Sequence, residues 1–99
     1  MCGGLGSASD MTDEVKAICD KLREDIEKQA GKKFSIFTPK SYRSQVVAGT
    51  NYFVRLQWRE GGEHVHVRIF QPLPHTNENP SVKSCQAGHT ADSPIEYFG

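Results

Sequence analysis

A hydrophobic pattern of helical period runs through the first third of the chain, after a short glycine-rich segment. Apolar residues recur there at spacings of three and four, which places them on one stripe of a helix with charged residues on the other side. Thr12 precedes the stripe as an N-cap hydroxyl, and Gly31 follows it as a typical helix stop. The pattern predicts one amphipathic helix of about four turns, with a buried stripe made of Val15, Ile18, Cys19, Leu22 and Ile26.

Beyond this helix the hydrophobic period changes to two, which is typical of strands with one buried face. One strand is predicted within residues 34–48, and a second follows it after a turn at residues 48–51. A glycine-containing connection at residues 60–63 then leads into a third strand. The middle of the chain is therefore expected to form consecutive hairpins.

The third strand is predicted to end at Pro72, because proline cannot donate to a strand ladder, and a last edge strand is expected within residues 81–98. A helix followed by about four hairpin-connected strands is an α+β fold, in which the helix packs on one face of an antiparallel sheet. A chain of 99 residues has room for one hydrophobic core. We therefore expect residues 1–99 to form one domain.

The charge balance argues against two classes of partner. Lys plus Arg number 12 and Asp plus Glu number 12, so the formal net charge is zero. Without a positive field, neither a nucleic acid nor an anionic membrane surface is an expected partner. No segment approaches the roughly 20 apolar residues of a membrane helix. The first residues also lack the basic start and the apolar run of a signal peptide.

The cysteines indicate a reducing compartment. There are three, Cys2, Cys19 and Cys85, widely spaced and without a CxxC pair, which favours free thiols over a disulfide framework. We therefore expect a cytoplasmic protein. Cys19 is predicted to be inert core and Cys85 to pack in a strand, whereas Cys2 is the thiol open to oxidation or crosslinking.

The third strand alternates valines with His64 and His66, two residue types that can bind a metal. A tetrahedral site needs two more ligands, and only His75 and His89 are spare. The alternation gives a simpler interpretation, in which His64 and His66 lie on the solvent face. Since a phosphate-cradling loop and paired carboxylates in an apolar context are also missing, we predict no metal, no cofactor and no catalytic residue. A thiol or metal-dependent enzyme is the weakest hypothesis.

Three segments are unusually apolar for loops, which favours a binding protein. Residues 45–49 place two valines, an alanine and a glycine at a hairpin tip, although Val46 packing inward is an alternative. Leu73 and Pro74 lie at a second strand end, and residues 1–5 are small and apolar. In a sheet whose strands run to and fro, the first and third connections lie at the same end, so the first two segments can be neighbours.

The most specific motif is Gln45-Val46-Val47-Ala48-Gly49, continued by Thr50-Asn51-Tyr52-Phe53. It resembles the signature of the stefins, the type 1 form of the cystatins, and Leu73-Pro74-His75 stands at the distance expected for that family's second hairpin. The resemblance covers nearly the whole chain, from the Cys2-Gly3 start to Tyr97-Phe98, and is greatest to the cystatin B branch.

This resemblance implies a reversible, tight-binding inhibitor of papain-like cysteine proteases of the cathepsin type. It also implies the cystatin-like fold, in which one long helix packs across a curved antiparallel sheet of about four to five strands that includes the N-terminal arm. The arm and two hairpin loops would form a non-covalent wedge that occludes the protease cleft. The protease-binding residues implied by the resemblance are Gly3, Gly4, Gln45, Val46, Val47, Ala48, Gly49, Leu73, Pro74 and His75.

A non-inhibitory binding module that uses the same loops or an edge strand is the alternative. Two departures from the stefin pattern affect the last strand, since Cys85 stands where stefins commonly carry tyrosine and residues 86–93 differ from them. A long hairpin with an apolar tip is also able to exchange between protomers. We therefore expect mainly a monomer, with a domain-swapped dimer as a second form.

Overall fold

The computed structural model describes Gly6 and residues 8–98. These residues form one antiparallel sheet of five strands in sequence order, with two helices between the first strand and the second, as the predicted α+β fold requires. The helices are α1 (Asp13–Lys21) and α2 (Arg23–Ala30). The strands are β1 (Ser9–Asp10), β2 (Thr38–Val47), β3 (Gly49–Gln57), β4 (His64–Gln71) and β5 (Ser81–His89).

The single helix predicted from the sequence is divided at Leu22, whose φ of −101° and ψ of 11° depart from helical values. The hydrogen-bond ladder continues across the break, because Ile26 N donates to Leu22 O at 2.9 Å. Both predicted ends are confirmed. Thr12 Oγ1 accepts a hydrogen bond from Val15 N at 3.3 Å, and Gly31 ends α2 in the left-handed conformation with φ of 71°.

One face of the sheet packs against the predicted apolar stripe of the helices, and we call it the helix face. Phe34 and Trp58 close one end of this core, with ring centroids 5.9 Å apart. In β4 the residues that face the helices, Val65, Val67 and Ile69, recur with the period of two expected of a strand. The buried cluster consists of Val15, Cys19, Leu22, Ile26, Phe34, Val54, Leu56, Trp58, Val65, Val67 and Ile69.

The first hairpin turns more tightly than the sequence predicted. Strands β2 and β3 stay paired as far as Val47 and Gly49, which leaves Ala48 alone at the tip. Thr50 and Asn51, which were expected in the turn, lie in β3. The difference arises because Gly49 adopts a φ of 127°, which L side chains rarely reach, so the chain reverses within one residue.

The opposite face of the sheet, which we call the back face, is covered by residues 93–98. The last edge strand predicted within residues 81–98 is confirmed as β5, which ends at His89 before the chain crosses the sheet. Phe53 is fully buried there, with its ring centroid 5.5 Å from that of Tyr97 and 5.6 Å from that of Phe98. Arg43 anchors the segment by donating to Ile95 O at 2.6 Å.

The prediction that His64 and His66 lie on a solvated face is wrong. His64 and His66 are 3% and 1% exposed. The ring of His66 is stacked on that of His89 in β5, with centroids 3.6 Å apart and planes 4° apart. The alternation did place both histidines opposite the valines, but on that face the His89 ring of β5 covers His66.

Candidate functional site

The tip of the first hairpin, residues 46–49, presents apolar groups to solvent. Val46 is 64% exposed, Val47 is half-buried and Ala48 is exposed. Gly49 is buried beneath them, and a Cβ placed on it would lie 2.7 Å from Gln71 O. Only glycine therefore fits at this position with the present backbone, and the tip remains thin.

The second loop follows β4 and lies beside the first hairpin, because Thr50 of β3 pairs with Gln71 of β4. Leu73 is 38% exposed, and its carbonyl oxygen accepts a hydrogen bond from Thr76 Oγ1 at 2.8 Å. The 3₁₀ turn Pro74–Thr76 completes the loop and carries the exposed His75. The structure thus brings together the two hairpin segments that the sequence predicted to be neighbours.

The described part of the N-terminal arm runs along β2 toward the same end of the sheet. Strand β1 pairs with β2, and beyond it Gly6 N donates to Ser44 O at 2.9 Å. Arg43 Nε in turn donates to Gly6 O at 2.7 Å. Gly3 and Gly4, the arm residues in the predicted site, lie outside the described residues.

Gln45 differs from the other predicted site residues because its side chain is buried, with 7% exposed. Its Oε1 accepts a hydrogen bond from Nδ2 of Asn51 at 3.0 Å across the β2–β3 pair. Asn51 was not singled out from the sequence. A polar residue placed among apolar strand positions directly after a hairpin is the signal that would have identified it.

The two described thiols, Cys19 and Cys85, are poor candidates for chemistry. Burial, with a smaller contribution from the charge of Asp20, raises the pKa of Cys19 to about 12. Burial also raises the pKa of Cys85 to about 11. Because the thiolate is the reactive form, both groups are inert at neutral pH, as the sequence predicted for core and strand-packing cysteines.

The buried histidines do not form a metal centre. Within residues 8–98 and Gly6, no group of three His, Cys, Asp or Glu side chains could hold a metal ion. Burial, with smaller contributions from charge repulsion by His89, Arg55 and His64, lowers the pKa of His66 to about 4. His66 is therefore neutral at physiological pH. None of the described helices is both long enough and apolar enough to cross a membrane.

Comparison with known proteins identifies the family and several relatives of this chain. A family model, the cystatin domain, matches residues 3–92. The chain belongs to the cystatin family. Among its relatives are cystatin-B of Bos taurus, 38% identical over 98 residues that cover 99% of each chain, and cystatin-B of Homo sapiens, 37% identical over the same lengths.

A second branch name among the relatives agrees with the predicted subfamily. Stefin-C of Bos taurus is 38% identical over 96 residues, which cover 97% of this chain and 94% of the relative. The cystatin-B and stefin-C relatives together confirm the stefin assignment made from the sequence. Membership of this family supports a protease inhibitor and gives the enzyme hypothesis no support.

Proposed function

We propose that this cystatin is a reversible, tight-binding inhibitor of papain-like cysteine proteases, with a non-covalent wedge that occludes the active-site cleft. The wedge consists of the N-terminal arm, residues 45–49 and the second loop at residues 73–75. The observation that carries the proposal is the pairing of Thr50 with Gln71, which sets two exposed apolar loops side by side at one end of the sheet.

Apolar contact supplies the main binding energy in this proposal. Val46 and Leu73 are two of the three large apolar side chains most exposed among the described residues. Their burial against a cleft wall is worth roughly 25 cal/mol per Å² of apolar surface. Both loops extend from paired strands, so little conformational entropy is lost on docking. Since the net charge is zero, affinity should depend little on salt.

The N-terminal arm contributes less of the binding energy in this proposal than the two loops do. Gly3 and Gly4 allow close approach to the protease backbone, and ordering the arm costs conformational entropy. We therefore propose that the arm modulates affinity and that the two loops provide most of it.

The described thiols, Cys19 and Cys85, are both free, which supports a cytoplasmic location.

A charge placed on either loop tests the wedge. Val46→Asp and Leu73→Asp each remove exposed apolar area and force a carboxylate into the interface, so we expect inhibition about a hundredfold weaker or worse. The matched control is Ala87→Asp, which places the same charge at an exposed position in β5. Both loop variants inhibiting a papain-like protease as well as the control would refute the wedge. An intact fold that inhibits no papain-like protease would favour a non-inhibitory binding module.

A further inference from the structure

A row of three side chains crosses the sheet directly beneath the two loops. Gln45 of β2 pairs with Asn51 of β3, and Asn51 pairs with Phe70 of β4. Side chains of directly opposed residues project from the same face of a sheet. The row therefore lies on the back face, two residues along β3 from the buried Phe53.

The hydrogen bond between Gln45 and Asn51 is directional and buried. Asn51 is 4% exposed, and its Nδ2 donates to Gln45 Oε1 at 3.0 Å. Its Oδ1 is buried and has no hydrogen-bond partner among the described residues, which costs free energy. An apolar pair would be at least as stable at this position. The amide pair instead orients the two strands, because its hydrogen bond forms only when β2 and β3 hold one relative position.

Phe70 joins the first hairpin to the strand that leads into the second loop. A Cβ placed on Gly49 would lie 2.7 Å from Cζ and 2.9 Å from Cε1 of Phe70, so the ring lies directly against the Gly49 backbone. Strand β4 ends one residue later at Gln71. The ring therefore fixes the spacing between the tip of the first hairpin and the start of the second loop.

We propose that Asn51 and Phe70 are positioning residues for inhibition, which set the relative angle of the two loops from beneath without touching the protease. This inference rests on the proposed function. Gln45 acts in the same row, since its buried side chain faces Asn51. Loops held in one arrangement before binding lose less entropy on docking, so loosening the row should chiefly speed dissociation.

The test compares Phe70→Leu and Asn51→Leu with Val67→Ala. Val67 is fully buried in the same strand as Phe70 but belongs to the helix-face core, so its truncation lowers stability without loosening the row. Thermal midpoint, hydrogen exchange of the amides at residues 46–50, and association and dissociation rates with a papain-like protease are measured for all three. We expect the two row variants to exchange faster at the tip and to dissociate about tenfold faster. Val67→Ala should keep the parent's rates despite a lower midpoint.

The outcomes separate this inference from the proposed function. A parent protein that leaves every papain-like protease active overturns the proposed function and the positioning role together. A parent that inhibits while both row variants keep its dissociation rate overturns the positioning role alone. Equal acceleration by Val67→Ala also overturns it, because general loss of stability would then account for the effect.

Discussion

Acidification should destabilise the protein through His66, because the folded state disfavours its protonated form. The ring is 1% exposed and stacked on His89, and its Nε2 has no hydrogen-bond partner among the described residues. The charged groups that act on it are Arg55 of β3, His64 of β4 and His89 of β5, and each lowers its pKa when charged. A proton on His66 would therefore be buried without an opposing charge.

Linkage between protonation and folding gives the direction and the magnitude of the change in the free energy of unfolding. The pKa of His66 falls from 6.5 to about 4 on folding, so the unfolded chain binds more protons as the pH drops below 6.5. The contribution is fully present above pH 6.5 and is lost progressively as the pH falls from 6.5 to 4. Between pH 7.5 and pH 5 the free energy of unfolding should decrease by about 2 kcal/mol from this residue alone.

Urea unfolding at pH 7.5 and pH 5 measures this loss in the parent and in His66→Leu. The leucine variant has no proton to bind and no orphaned nitrogen to bury, so its free energy of unfolding should depend on pH less than the parent's by about 2 kcal/mol. His75→Gln is the matched control, because it removes a histidine that is exposed and not buried. Equal pH dependence in the parent and His66→Leu would show that protonation of His66 does not destabilise the fold.

Three further predictions concern the thiols, the first helix and the first hairpin. Raising the pKa of Cys85 from 9.0 to about 11 lowers its thiolate fraction at pH 8 about a hundredfold, and Cys19 with a pKa of about 12 is affected more. Alkylation followed by peptide mass spectrometry should therefore modify Cys2 first and Cys19 and Cys85 only in urea; early reaction of Cys85 in the native protein would contradict this. Thr12→Ala removes the acceptor for Val15 N and should lower the free energy of unfolding by about 1 kcal/mol in urea melts, whereas Thr12→Ser should restore it. Mild heating should produce some dimer on size-exclusion chromatography by exchange of the first hairpin, and the dimer should inhibit less than the monomer because its tip is opened; a dimer of full potency would exclude that exchange.

Local patterns predicted the secondary structure well because the helix and the strands obey simple periods. The apolar stripe predicted the helical segment, and Thr12 and Gly31 predicted its two ends. Both residues cap the helices in the structure. The break at Leu22 has no equivalent signal, since Leu22 belongs to the stripe and is neither glycine nor proline. Periodicity reports which face a residue occupies and does not report a change of backbone angles within the helix.

On the back face, burial depends on long-range packing, which limits what the sequence pattern can predict. The alternation assigned His64 and His66 to the face opposite the valines, but no local rule indicates that residues 93–98 return to cover it. One of the contacts that hold this segment is between Arg43 and Ile95, which lie 52 residues apart in the chain. Burial of the histidines therefore depends on tertiary structure that the strand pattern does not contain.

The candidate site was predictable where apolar residues occupy loops. Exposure of Val46 and Leu73 follows from their positions at strand ends, and the to-and-fro order of the strands accounts for their closeness. Asn51 was expected in a turn and Phe70 resembles an ordinary strand residue, so neither was predicted to act in the site. Their part in the site depends on the register of three strands, which sequence pattern alone leaves open.

Titrating a papain-like protease of known active-site concentration with the protein tests the proposed inhibition. Protease activity should fall linearly to near zero at one protein per active site, and it should return on dilution with both chains uncleaved. Full protease activity in the presence of a large excess of correctly folded protein would contradict it.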